Sequence, residues 1–214
     1  MKILFFGDSI TDMGRNRTDN TPSHIFAYGS GYPMFVAGEL YSKDPTRYEV
    51  INRGISGNKT VDLYARLKAD VWNLEPDVLS ILIGVNDLWH ELDYGIGVEP
   101  ARFEKVYSAI IEETQERLPG VKIVLMEPFI LPGKVTAERL SRFEEIYDYA
   151  RVVKRLAEKY SLEFLPLQSV LNEAAAKHGA EHYLYDGIHP MVAGAALIAR
   201  EWTKLFYESI EMKR

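Results

Sequence analysis

The run Val78-Leu79-Ser80-Ile81-Leu82-Ile83 constrains the fold more than any other stretch of this chain. It is six residues long, almost wholly apolar and rich in β-branched side chains. Such a run is too short for a helix and reads as a strand covered on both faces, as in a parallel sheet packed between helices. Residues 2–6, 48–51, 121–126 and 163–165 have the same character. The segments between them have helical spacing. Residues 32–43 place Tyr32, Phe35, Val36 and Leu40 on one face. Residues 60–73 begin at Thr60, a natural N-cap. Residues 100–118 run into the stop signal Pro119-Gly120. Residues 136–160, 168–178 and 191–211 supply three more helices. Alternation of strand and helix implies an α/β fold with a parallel sheet and helices on both faces.

A chain of 214 residues without repeats or linker-like composition is expected to form one domain, residues 1–214, with a substantial core. The net charge of -6 points away from nucleic acid, which requires a basic face. No apolar run reaches the ~20 residues of a membrane span. The absence of cysteine excludes disulfides and thiolate zinc sites. The opening Met1-Lys2-Ile3-Leu4-Phe5-Phe6-Gly7-Asp8 turns acidic too soon for a signal peptide, so a cytoplasmic protein is expected.

Ligands of open α/β sheets bind beyond the carboxyl ends of the strands. Three polar segments fall there: Gly7-Asp8-Ser9-Ile10-Thr11 after strand one, the loop with Gly57 after strand two, and Gly84-Val85-Asn86-Asp87 after strand three. A fourth, Asp186-Gly187-Ile188-His189-Pro190, precedes the final helix. A serine hydroxyl is a weak nucleophile that needs an adjacent base, and the base needs an acid to orient it. Ser9, His189 and Asp186 are suited to these roles. Each segment also has a plainer reading: Ser9 as a helix N-cap, Gly57 as a turn, Asn86 as an Asx-turn, and Asp186-Gly187 as a turn signal. Of the other histidines, His178 and His182 are read as solvated, and His24 and His90 as possible substrate contacts. No Gly-x-Gly-x-x-Gly follows strand one, and no clustered ligand spacing surrounds the site, so neither a cofactor nor a metal is expected.

In order, the four segments resemble the GDSL, or SGNH, hydrolase superfamily, whose marker residues are Ser, Gly, Asn and His. The resemblance implies a flavodoxin-like three-layer α/β/α sandwich with a five-stranded parallel sheet of order 2-1-3-4-5. It also implies a catalytic triad of Ser9, Asp186 and His189. The oxyanion hole would comprise the backbone N–H groups of Ser9 and Gly57 and the side-chain amide of Asn86. The family's usual Leu after the Ser is Ile10 here, a volume-conserving change.

Gly7-Asp8-Ser9-Ile10-Thr11-Asp12, Gly29-x-Gly31-Tyr32, the Asn52–Asn58 block and Gly84-x-Asn86-Asp87-x-Trp89 are similar to the bacterial acetylxylan esterase branch. That branch implies a serine esterase that removes O-acetyl groups from xylo-oligosaccharides inside the cell and assembles into homo-oligomers. Its Trp before the catalytic Asp is Tyr185 here. The long polar loop 12–31, with Arg15, Arg17, Asn20, His24, Phe26 and Tyr28, has the character of a functional loop. Asp8, Arg15, Tyr28, Trp89 and Tyr185 are the candidates for substrate contact, Asp8 reading also as a buttress of its own loop. The alternatives are a lipid- or small-ester-active esterase of lysophospholipase, thioesterase or arylesterase type, and a non-catalytic carbohydrate-binding protein.

Overall fold

In the computed structural model, residues 1–18, 21 and 23–212 are described. Asn20 of the long loop lies outside them. Five strands, β1 (Lys2–Gly7), β2 (Glu49–Gly54), β3 (Val78–Leu82), β4 (Lys122–Met126) and β5 (Glu163–Leu165), form one sheet in the order β2-β1-β3-β4-β5. Every pairing is parallel. The helices are α1 (Ser9–Asp12), α2 (Tyr32–Lys43), α3 (Thr60–Asp70), α4 (Val85–Tyr94), α5 (Pro100–Arg117), α6 (Leu140–Phe143), α7 (Ile146–Tyr160), α8 (Gln168–His178) and α9 (Val192–Leu205).

Alternation along β1 shows how the layers form. Successive strand side chains point to opposite faces. Phe5 meets Tyr32 of α2 edge to face at 5.3 Å and Trp202 of α9 at 5.1 Å. Phe6 points the other way, beneath the Arg66 guanidinium of α3 at 4.3 Å. Helices α2 and α9 therefore cover one face, and α3, α5 and α7 the other. All five β3 residues are buried, Ser80 included. The Ser80 hydroxyl accepts from the Trp202 indole at 2.7 Å, so this polar group in the core is satisfied.

The expected elements differ from those observed at several points. Helix α4 replaces the turn read at Asn86-Asp87. Thr60 opens α3, but Lys59 is its N-cap; the Thr60 hydroxyl instead donates to Asp87 at 2.7 Å. The continuous helix expected over 136–160 is broken into a short 3-10 turn, α6 and α7, as Thr136 turns its hydroxyl onto the Leu131 carbonyl. Phe35 lies 37% exposed, off the buried stripe of α2 formed by Tyr32, Val36 and Leu40. Among the described residues, no helix is long and apolar enough to cross a membrane.

Candidate active site

Parallel register brings the ends of β1, β2 and β3 level: Gly7 pairs with Gly54 on one side and Leu82 on the other. The chain leaves the sheet at these three points. After β1, Asp8 caps α1, its Oδ1 accepting from Ile10 N at 2.9 Å. Ser9 is thus the first helical residue, and the first turn of a helix leaves its N–H groups without intrahelical partners. Among the described residues, neither Ser9 N–H nor Gly57 N–H donates to a protein acceptor. Gly57 has φ +83°, a conformation that glycine adopts without strain.

The Gly57 loop is pinned from both sides. Asp12 of α1 accepts from the backbone N and the hydroxyl of Ser56, both at 2.9 Å. On the other side, Asp87 of α4 accepts from Thr60 N–H and hydroxyl. The close approach requires glycine at the end of β2, because a Cβ on Gly54 would sit 2.2 Å from Asp12 N. Asn86, beside Asp87, donates one amide hydrogen to the Asn58 carbonyl at 3.1 Å. Its second amide hydrogen remains available.

The fourth segment comes from the far end of the chain. Asp186 Oδ1 accepts from Ile188 N at 2.9 Å and His189 N at 2.7 Å, which folds 186–189 into a tight turn. Asp186 Oδ2 lies 2.7 Å from His189 Nδ1, and His189 Nε2 lies 2.8 Å from Ser9 Oγ. A carboxylate only accepts, so Nδ1 carries the proton and Nε2 presents its lone pair to the serine.

Burial alone would raise the Asp186 carboxyl. The hydrogen bonds from the His189 ring and from the His189 and Ile188 backbones, with the His189 charge, outweigh it and hold the carboxyl below its ordinary value. His189 moves the opposite way: burial lowers it, but the hydrogen bond and charge of Asp186 and the charge of Asp8 leave it raised. Asp8 itself is fully buried, and desolvation pushes it up to about 7.

Ser9, Ser56, Gly57, Asn86, Trp89 and His189 line one cavity of about 310 Å³, together with His90, Asp93 and Tyr94. Trp89 is placed at this cavity, and Tyr185 stacks on the His189 ring at 5.8 Å. The other three expected substrate contacts are turned inward. Asp8 serves its helix cap. Arg15 is buried and donates from Nε to the Gly54 carbonyl at 2.8 Å. Tyr28 is buried, with its hydroxyl between Ser23 N and Tyr41. All three side chains are buried, and none of them lines the cavity. His24 is exposed and does not line the cavity, whereas His90 does. Asp12, Asp93 and Arg139 were not singled out by sequence; their roles depend on partners brought together by folding. Among the described residues, no group of three or more His, Cys, Asp or Glu could hold a metal ion.

The GDSL-like lipase/acylhydrolase family model matches residues 5–197. The chain belongs to that family. It is 36% identical over 95% of its length to an acetylxylan esterase from Geobacillus stearothermophilus, covering 92% of that protein. The crystal structure of an acetylxylan esterase from the same organism, Axe2, superposes with a TM-score of 0.84 at 35% identity, over 95% of this chain and 92% of that one. A protein from Parabacteroides merdae, named as a candidate GDSL-like lipase, superposes at 0.90 with 38% identity, over 95% and 94% of the two chains. The chain is thus a carboxylic ester hydrolase with the sheet order of its family.

Proposed function

We propose that this chain is a serine O-acetylesterase acting on acetylated xylo-oligosaccharides, with Ser9, His189 and Asp186 as its triad. The observation that carries the reading is the unbroken line Ser9 Oγ–His189 Nε2, His189 Nδ1–Asp186 Oδ2, at 2.8 and 2.7 Å. Ser9 Oγ attacks the acetyl carbonyl carbon as its proton passes to Nε2. The oxyanion is met by Ser9 N–H, Gly57 N–H and the free hydrogen of the Asn86 amide, donors of the kind worth roughly 10²–10³ in rate each. The C–O bond to the sugar then breaks, and Nε2 returns the proton to the leaving alkoxide. Water, deprotonated by the same nitrogen, releases acetate and restores Ser9. The acetylated-sugar specificity is supported by the 36% identity to an acetylxylan esterase. Among structures of that enzyme, catalytic mutants carry alanine in place of a serine and of an aspartate. The proposal includes a cytoplasmic location and a homo-oligomer, read by cell fractionation and light scattering.

The test is acetate release from acetylated xylo-oligosaccharides by wild type and Ser9→Ala. Release by wild type with at least a ~10³-fold loss in the variant is the expected result. Cleavage of p-nitrophenyl acetate alone, still dependent on Ser9, would remove the sugar and keep the mechanism. Equal activity in both proteins would remove the mechanism. A larger cavity of about 610 Å³, lined by Met13, Ile25, Phe26 and Met34 among others, gives the lipid-ester alternative its footing. Its lining includes none of Ser9, Gly57, Asn86 or His189. A p-nitrophenyl series whose activity rises from acetyl to octanoyl would favour that alternative.

A further inference from the structure

Trp89 walls the cavity beside the base, its ring centroid 6.1 Å from that of His189. Four contacts around the indole close into a circuit. Trp89 Nε1–H donates to Asp93 Oδ2 at 2.7 Å, one helical turn along α4. Asp93 Oδ1 accepts from Arg139 Nη1 at 2.6 Å. The Arg139 guanidinium lies 5.3 Å from the centre of the Phe143 ring. Phe143 is fully buried and meets Trp89 edge to face at 6.2 Å, which returns the circuit to its start. Each Asp93 oxygen thus serves one partner in the circuit. Residues 139–143 lie 46 or more positions from Asp93 and do not line the cavity, yet they hold two corners of the circuit.

We propose that Arg139 is a positioning residue which, through Asp93, fixes Trp89 as the wall against the alcohol part of the bound ester. The alcohol side follows from the neighbour: His189 hands its proton to the leaving alkoxide, so a ring beside His189 faces that group. This step rests on the Ser9–His189 reading above. An isolated, half-exposed ion pair contributes little to folding. Its effect here is on geometry: without Arg139, Asp93 is free to turn toward water and release the indole N–H. A wall that wanders weakens binding of the alcohol part more than it slows the chemistry at Ser9.

The experiment is a double-mutant cycle of Arg139→Met and Trp89→Phe, read as KM and kcat with acetylated xylobiose and with p-nitrophenyl acetate. Methionine keeps bulk near Phe143 without charge, and phenylalanine keeps a ring without the N–H. Each single variant is expected to raise KM for acetylated xylobiose about three- to tenfold with kcat within about twofold, and the double variant to be no worse than Trp89→Phe alone. Kinetics of Arg139→Met equal to wild type, or effects that multiply in the double variant, would overturn the proposal. If Arg139→Met does not fold, wild type and Trp89→Phe are compared as salt rises from about 0.05 to about 0.5 M, which screens the half-exposed pair. KM should then climb in wild type only; an equal response in both would count against the circuit. Wild type that leaves acetylated xylobiose intact would refute the sugar specificity, and the same cycle on p-nitrophenyl acetate then decides the positioning role.

Discussion

Replacing Asp186 by asparagine separates what this carboxylate does for the fold from what it does for the base. Oδ1 accepts two backbone N–H groups, at 2.9 and 2.7 Å, and Oδ2 accepts the imidazole Nδ1–H at 2.7 Å. An amide has one oxygen. Seated at Oδ1, it goes on accepting both backbone bonds, so the turn 186–189 persists. The NH2 group then faces His189 Nδ1 and can only donate, which forces the ring proton onto Nε2, opposite Ser9 Oγ. A nitrogen already carrying a proton cannot take one from serine. The loss in kcat is expected to be about 10⁴, as when a triad acid is replaced by its amide elsewhere. Asp186→Ala does more, because it strands two backbone N–H groups at roughly 1–3 kcal/mol each, or about 2–6 kcal/mol of folding stability. Steady-state hydrolysis of p-nitrophenyl acetate and urea denaturation of both variants form the assay. Asp186→Asn retaining more than a tenth of wild-type kcat, at unchanged stability, would refute the assignment of the tautomer and with it the role of Asp186.

Two further outcomes follow from the site and the core. His189 must be neutral to accept the serine proton and is raised above 6.5, so kcat/KM should rise through an apparent pKa above 6.5 in a pH titration of activity. A base held high by its folded surroundings stabilises the fold below its unfolded pKa and loses that contribution as pH rises through the folded value; its activity and its stabilising effect therefore change in opposite directions across this window. Trp202→Ala should cost about 3–5 kcal/mol in urea denaturation, because the ring is fully buried between Phe5 and Phe206 and its loss also leaves the Ser80 hydroxyl without a partner.

The sheet was legible because its strands are short apolar runs separated by helical periodicity, and parallel connections leave few alternatives. The Ser9, Gly57, Asn86 and His189 segments were legible because each is local: Asp186 and His189 are three residues apart and meet within one turn. Helix α4 was hidden by its own start. Gly84, at φ +132°, is its N-cap and offers no side-chain oxygen, and Asn86-Asp87 has the composition of a turn. Arg15 and Tyr28 read as polar loop residues, yet they are buried because the loop folds back and buries them against the end of β2 and against Tyr41. Asp12 reaches Ser56 across 44 residues, and Arg139 reaches Asp93 across 46; no local pattern in either segment announces its partner.

The Ser9–His189 hydrogen bond spans 180 positions of chain. Nucleophile and base come from opposite ends of the folding problem: one follows β1, an interior strand between β2 and β3, and the other is delivered by the turn before α9. No fragment that omits either end can hold the pair, and long-range parallel pairing is among the slower events in folding. Hydrolysis is therefore a late reporter. In a refolding experiment, secondary structure should return before ester cleavage does, and the first turnover marks the moment at which the last segment has docked on the first.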